Sequence, residues 1–106
     1  MGESVRVCGR EEVAPGSARR FEIGDRVVAL VRIDADEFYA VDDTCSHEDY
    51  SLAEGEVLTE EREIECWKHG STFDLRTGDP CSLPATKPVE VYMVRVEGDD
   101  VMLELP

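Results

Sequence analysis

The chain has 106 residues, of which 42% are hydrophobic and 34% charged, and this composition predicts one small folded domain rather than a disordered tail. Its 25 acidic residues outnumber 11 basic ones, which gives a formal net charge of -14. This charge excludes nucleic acid and anionic membranes as partners, because phosphate binding needs a basic surface. The acids either guide docking to a basic partner or only keep the protein in solution.

The N-terminal residues 1–13 carry five charged side chains and no apolar segment, which excludes a secretory signal. The longest aliphatic run is residues 27–31, and these five residues cannot cross a bilayer that requires about twenty. We therefore expect a cytoplasmic protein without a membrane anchor. In that compartment the four cysteines are not expected to form two disulfides. Cys8, near Val5 and Val7, is predicted to be a small buried side chain.

Short strands account for most of the chain. Five stretches have the apolar residues typical of strands: residues 21–23, 27–33, 38–41, 89–96 and 101–105. Turn residues separate them at 24–25, 34–37 and 97–100, which predicts antiparallel hairpins.

Residues 59–65 begin with a Thr followed by acids, as helix N-termini do, but the segment is too short for a helix. It is predicted to form the turn of a further hairpin. The chain shows no linker, repeat or low-complexity segment. The sequence therefore predicts an all-β sandwich or barrel that forms a single domain over residues 1–106.

Four potential metal ligands lie in two short motifs. Cys45-Ser46-His47 has the form C-x-H, and after 18 intervening residues Cys66-Trp67-Lys68-His69 has the form C-x-x-H. These motifs contain both histidines of the chain and offer two sulfur and two nitrogen ligands.

Three kinds of metal site could use these ligands. Zinc accepts two Cys and two His, but its ligands are usually two to four residues apart, which C-x-H does not satisfy. A mononuclear iron enzyme would need two His and a carboxylate, whereas each His here is tied to a Cys. A [2Fe-2S] cluster held by two Cys on one iron and two His on the other uses every residue of the pattern and is favoured.

The sequence resembles the Rieske [2Fe-2S] proteins, and among them the small ferredoxins that serve bacterial ring-hydroxylating oxygenases. The resemblance rests on CSH at residues 45–47, SLAEGEV at 51–57, CWKHGSTFD at 66–74 and LPA at 83–85. It implies a Rieske-type antiparallel β-sandwich base with a small cluster-binding subdomain at about residues 43–85. Two ligand loops and a proline loop would form this subdomain. The resemblance also implies that Cys45, His47, Cys66 and His69 bind the cluster.

The resemblance assigns roles to residues around the cluster. Gly70 would let the backbone approach it, although a plain turn glycine explains this residue as well. Ser71 matches a residue that hydrogen-bonds a bridging sulfide in high-potential members, and Pro84 would stiffen the covering loop. Trp67 is predicted to be a packing anchor rather than an electron relay. Cys81 is predicted to have a plain packing role.

The sequence also indicates a reduction potential. Two thiolates bring an oxidised +2 cluster to zero charge, whereas four would leave it at -2, so reduction is easier here than in a four-thiolate ferredoxin. High-potential members carry a disulfide between the loops and a Tyr that hydrogen-bonds a ligand sulfur. In this chain Tyr50 and Lys68 stand where those members have the two Cys, and Phe73 stands where they have the Tyr. The disulfide therefore cannot form, and the phenolic donor is missing. We therefore expect a potential near the negative end of the Rieske range, about -150 mV.

The resemblance implies a one-electron carrier between a flavin-dependent NAD(P)H reductase and a terminal non-haem iron oxygenase. Two alternatives are an accessory redox protein of Fe-S assembly and the small subunit of another reductase. An oxygenase enzyme is disfavoured, because both histidines are already assigned to the cluster. The contact with partners is expected to be brief and steered by charge. Its candidate residues are Glu48, Asp49 and Lys68, beside the two histidines.

Overall fold

The computed structural model describes residues 3–44, 51–67, 70–81 and 87–105, with the side chains of Glu3 and Leu105 excepted. These residues form nine strands and two single-turn 3-10 helices, at Arg10–Glu12 and Leu52–Glu54. The strands are β1 (Glu3–Gly9), β2 (Ser17–Ile23), β3 (Arg26–Arg32), β4 (Phe38–Asp42), β5 (Val57–Leu58), β6 (Glu63–Glu65), β7 (Thr72–Asp74), β8 (Val91–Glu97) and β9 (Asp100–Leu105). The prediction of an all-β chain is confirmed.

Six strands form one antiparallel sheet in the order β1-β9-β8-β4-β3-β2. The predicted hairpins are present: β2 and β3 flank Gly24-Asp25, β3 and β4 flank residues 33–37, and β8 and β9 flank residues 98–99. Gly24 and Gly98 lie at the turns with φ of 64° and 62°, a conformation that glycine adopts without steric cost. The turn residues therefore set the hairpin register, as the sequence predicted.

Strand β3 is buried on both faces. Val28 and Leu30 belong to one apolar cluster, whereas Ala29 and Val31 belong to the other. Side chains from both edge strands, β1 and β2, pack in the first cluster, so the six-stranded sheet curls around it. The second cluster fills the space between this sheet and the small sheet. This arrangement explains why residues 27–33 are almost continuously apolar.

Cys8 is 1% exposed in the first cluster, which confirms its predicted burial. The register of β1 against β9 shifts between Arg6 and Cys8. Such a β-bulge inserts one extra residue and thereby changes which side chain points inward. Burial raises the pKa of the Cys8 thiol, so this side chain packs as a neutral group.

Strands β5, β6 and β7 form a separate three-stranded antiparallel sheet. They lie between β4 and β8 in the chain, within the range predicted for the cluster-binding subdomain. The predicted hairpin turn at residues 59–65 is confirmed, although β6 already begins at Glu63. The boundaries 43–85 remain a prediction. In the part of the chain described here, no helix is long and apolar enough to cross a membrane.

Candidate functional site

Residues 43–44 and 51–53 lie side by side at the base of the first predicted ligand loop, and this base is called the neck of the loop. Thr44 and Ser51 form an isolated antiparallel bridge, and the Leu52 N–H donates to the Asp43 carbonyl at 2.6 Å. The Asp43 carboxylate accepts hydrogen bonds from the Ser51 hydroxyl at 2.8 Å and from the Ala53 N–H at 3.0 Å. Residues 45–50 lie outside the described residues, and they include Cys45, His47, Glu48, Asp49 and Tyr50.

The second predicted ligand loop is the tip of the β6-β7 hairpin. The Cys66 N–H donates to the Ser71 carbonyl at 2.6 Å, and the Gly70 N–H donates to the Cys66 carbonyl at 2.9 Å. Gly70 has a φ of 75°, and among the described residues, its chain neighbours apart, no atom lies within 4 Å of where its Cβ would be. Gly70 is therefore explained by its backbone conformation. Lys68 and His69 lie outside the described residues.

A third segment pairs with the free edge of β7. Phe73 and Pro80 form an isolated bridge, and the Cys81 N–H donates to the Thr72 carbonyl at 2.7 Å. This segment leads into residues 82–86, which contain Pro84 and lie outside the described residues. The base of the predicted proline loop is thus attached to the hairpin that carries Cys66.

The segments that follow the first loop and precede the second are in close contact. The Glu65 N–H donates to the Glu56 carbonyl at 2.9 Å. A Cβ on Gly55 would lie only 1.6 Å from the Glu65 carbonyl oxygen, so only glycine fits there. Leu52 and Cys66 are both 0% exposed and belong to the same apolar cluster. The bases of the two loops therefore pack together, as a shared site requires.

The comparisons with known proteins agree with this geometry. The sequence model of the Rieske [2Fe-2S] domain matches residues 3–93. The chain belongs to the Rieske [2Fe-2S] family. It is 39% identical over 101 residues, 95% of this chain and 92% of the relative, to the ferredoxin component of biphenyl 2,3-dioxygenase from Rhodococcus jostii (strain RHA1).

Two solved structures share the fold of this Rieske protein. The ferredoxin of carbazole 1,9a-dioxygenase from Nocardioides aromaticivorans IC177 has a TM-score of 0.89 and 38% identity, with 94% of this chain and 95% of that chain covered. A complex of reduced oxygenase and oxidised ferredoxin in carbazole 1,9a-dioxygenase gives a TM-score of 0.84 and 38% identity, with 94% and 91% covered. The protein is thus a Rieske-type [2Fe-2S] ferredoxin, an electron carrier rather than an oxygenase.

The described residues fit such a cluster. Cys66 and Ser71 are 0% exposed, so a thiolate and a hydroxyl are available in a region that excludes water. Thiolate ligands suit iron-sulfur clusters, and the remaining Cys and His of the two motifs complete a Rieske donor set. Within the described ranges, which contain only Cys66 of this set, no group of three or more His, Cys, Asp or Glu could hold a metal ion.

Phe73 is also 0% exposed, in the cluster of apolar residues that contains Cys66. Its ring therefore occupies the core beneath the second loop and offers no hydrogen-bond donor. Residue 73 is Phe and not Tyr, so no phenolic hydroxyl is present at this position.

Trp67 is 48% exposed, so about half of this side chain lies outside the core, and its role as a packing anchor stays a prediction. Side chains of a strand alternate between its faces, and Ile64 and Cys66 already point inward from β6 and its extension. Trp67 therefore points outward. The expectation for Cys81 is wrong: its side chain is exposed, with Sγ 3.7 Å from the Asp79 carbonyl oxygen.

An ion pair that sequence reasoning missed connects the two sheets. The Arg62 guanidinium donates to both carboxylate oxygens of Glu37 at 2.6 and 2.9 Å, and the Tyr39 hydroxyl donates to the same carboxylate at 2.6 Å. These hydrogen bonds, those of Arg62 first, hold the pKa of Glu37 below its usual value. Arg62 is the only basic residue of the acidic stretch 54–65, and this isolated positive charge was the sequence signal that could have predicted an ion pair.

Proposed function

We propose that Cys45, His47, Cys66 and His69 hold the [2Fe-2S] cluster of this ferredoxin. The observation that carries this assignment is the buried Cys66, at the tip of a hairpin whose base packs against the segment following the first loop. The two thiolates would bind one iron and the two imidazoles the other, as in Rieske centres. Gly70, Ser71, Phe73 and Pro84 would surround the cluster.

A bound Rieske cluster supplies a one-electron redox couple in the range of about -150 to +300 mV. The chain contributes the environment of that couple. Cys66 and Ser71 lie in a water-excluded core, where hydrogen bonds to sulfur have a larger electrostatic effect than in water. Since Phe73 has no hydroxyl, we expect a potential near the negative end of this range.

We infer that the ferredoxin serves a cytoplasmic ring-hydroxylating dioxygenase system. It would take one electron from a flavin-dependent NAD(P)H reductase and deliver it to a terminal non-haem iron oxygenase. This inference is supported by the relatives at 38–39% identity, which are named as ferredoxins of biphenyl and carbazole dioxygenases. The complex of oxygenase and ferredoxin supports the second of these partners. A role in Fe-S assembly or as a small reductase subunit is less favoured by these relatives.

The ligand assignment predicts two irons and two acid-labile sulfides per chain in anaerobically purified protein. Cys66→Ser, His47→Ala and His69→Ala are each expected to abolish the native cluster spectrum. Cys8→Ser is a matched control, because Cys8 is also buried but lies in the other apolar cluster. Stoichiometric zinc without labile sulfide, or a normal cluster in Cys66→Ser, would contradict the assignment.

The net charge of -14 predicts how the ferredoxin meets its partners. An electron shuttle dissociates after each transfer, so we expect a small interface and an association rate that falls as salt rises. Glu48→Lys with Asp49→Lys is expected to change the electron-transfer rate from the reductase and its dependence on salt.

The matched control for this pair is Glu11→Lys with Asp25→Lys, which changes the net charge equally at two exposed residues outside the loops. If both double variants have the same rate and salt dependence, Glu48 and Asp49 do not take part in docking. Stopped-flow reduction at low and high salt measures both quantities.

A further inference from the structure

Asp43 is the only carboxylate that the described part of the chain buries, with 3% of the residue exposed. It lies two residues before Cys45, at the neck of the first ligand loop. Its main-chain carbonyl and its Oδ1 together accept three hydrogen bonds from residues 51–53. A single residue on one side of the neck therefore binds the whole segment on the other side.

The remaining oxygen of this carboxylate faces a cation. Oδ2 of Asp43 lies 3.4 Å from Nε of Arg20, which projects from strand β2. The Arg20 side chain is 52% exposed and also approaches Glu22 at 3.8 Å. Burying a carboxylate is costly unless hydrogen bonds or a counter-charge compensate it. Here both compensate it, since Oδ1 is hydrogen-bonded and Oδ2 is paired.

We propose that Asp43 and Arg20 form a positioning pair that holds the neck of the first ligand loop and adjusts the cluster's potential with opposite charges. The proposal rests on the assignment of Cys45 and His47 as ligands. A negative charge near the cluster favours the oxidised state and lowers the potential, whereas a positive charge raises it. Because Asp43 is buried, solvent and salt screen its charge less than they screen a surface carboxylate.

Asp43 could also act as a purely structural clamp, which holds the neck by its hydrogen bonds and has no electrostatic effect on the cluster. This alternative predicts a different midpoint potential for one variant. Asp43→Asn keeps the size of the side chain and an oxygen that can accept from Ser51 and Ala53, and it removes only the charge. If the clamp were only structural, Asp43→Asn would leave the potential unchanged. If the charge acts on the cluster, Asp43→Asn raises the potential.

The test measures the midpoint potential and the EPR spectrum of the reduced holoprotein for Asp43→Asn, Arg20→Gln and the double variant. We expect Asp43→Asn to raise the midpoint and Arg20→Gln to lower it, with the double variant between the two. Arg20→Lys, which keeps the charge, is expected to retain the wild-type midpoint. Lowering the salt concentration is expected to enlarge the Arg20→Gln shift more than the Asp43→Asn shift, because Arg20 is half-exposed.

The matched controls are Arg6→Gln and Asp100→Asn, which change the net charge equally. Arg6 and Asp100 form an exposed ion pair at 2.8 Å between β1 and β9, at the other edge of the six-stranded sheet from β2. These two variants are expected to leave the midpoint and the EPR spectrum as in the wild type. Equal shifts in the controls and in the Asp43 and Arg20 variants would overturn the proposal.

Iron and labile sulfide are measured in every preparation. A wild-type protein without a cluster would refute the ligand assignment itself. Full clusters with unchanged midpoints in Asp43→Asn and Arg20→Gln would refute only the positioning pair. If Asp43→Asn does not bind a cluster, the Arg20→Gln variant provides the test, because the half-exposed Arg20 side chain can be replaced without burying a new group. An unchanged midpoint in Arg20→Gln then overturns the proposal.

Discussion

Strands of the six-stranded sheet are five to seven residues long, whereas those of the three-stranded sheet have only two or three. The large sheet curls around its own apolar cluster and forms a second cluster with the small sheet. Each fully buried Val, Leu, Ile or Phe side chain in these clusters contributes about 1.5–3 kcal/mol. Apolar burial on both faces of β3 thus accounts for much of the stability of the large sheet.

The small sheet depends on specific contacts to a greater degree. Gly55 lets the segment after the first loop approach Glu65, and Arg62 pairs with Glu37 of the chain preceding β4. Asp43 closes the neck of the first loop. The base is therefore specified by many interchangeable apolar contacts, whereas the site is specified by a few contacts that other residues cannot replace.

The largest effect is expected from Gly55→Ala. The new Cβ would lie 1.6 Å from the Glu65 carbonyl oxygen, so the backbone must move. We expect a loss of about 3 kcal/mol or more in the free energy of unfolding, together with poor cluster binding. Urea unfolding followed by circular dichroism, with iron analysis, measures both. Gly9→Ala is the matched control, because its Cβ would meet no atom of the described residues closer than 3.6 Å. A fully stable Gly55→Ala would contradict this comparison.

A smaller effect, confined to the base, is expected from Arg32→Met. Arg32 is 7% exposed and donates to the carbonyls of Arg10, Val13, Asp34 and Ala35 at 3.0–3.1 Å. Leaving these carbonyls without their donor is expected to cost about 2–3 kcal/mol of stability.

The midpoint potential of Arg32→Met is expected to remain that of the wild type, because the contacts of Arg32 lie in the base. Arg95→Met, at an exposed side chain of the same sheet, is the control and is expected to lose less than about 0.5 kcal/mol. A shift in potential without a loss of stability in Arg32→Met would show that the two regions are coupled. Chemical unfolding and redox titration of the same samples distinguish these outcomes.

The smallest effect is expected from Phe73→Tyr, on the potential rather than on stability. A phenolic hydroxyl that donates to a ligand sulfur would favour the reduced cluster by one hydrogen bond. A hydrogen bond of about 0.5–1.5 kcal/mol corresponds to a rise of about 20–65 mV for one electron. Phe38→Tyr adds the same hydroxyl in the other apolar cluster and is expected to leave the midpoint unchanged. An unchanged or lowered midpoint in Phe73→Tyr would contradict this role.

The sequence predicted the hairpins of the base correctly because local signals determine them. Alternation between apolar and polar residues sets the face of each strand, and turn residues such as Gly24-Asp25 set the register. The bulge that turns Cys8 inward was not predicted, because an extra residue in β1 can be recognised only when the pairing of β1 with β9 is known.

Residue type did not predict how far Trp67 and Cys81 are exposed. Residue type favoured packing for both, but the direction of the Trp67 side chain depends on the strand that precedes it. Ile64 and Cys66 point into the core, so alternation directs Trp67 outward. Hydrophobic character alone does not determine which of two neighbouring residues is buried.

The strand and turn pattern of the sequence predicted the all-β fold class, and its two ligand motifs predicted the [2Fe-2S] family, because ligand chemistry requires particular residue types at particular spacings. The assignment of the four ligands rests on the same motifs and stays a prediction. The folded structure was needed to find that residue 55 must be glycine, that Arg62 pairs with Glu37 and that Arg20 reaches Asp43. Each of these contacts joins residues that are 10 to 25 positions apart in the chain. No local pattern encodes such a contact, since its energy depends on the distance between two segments after both have folded.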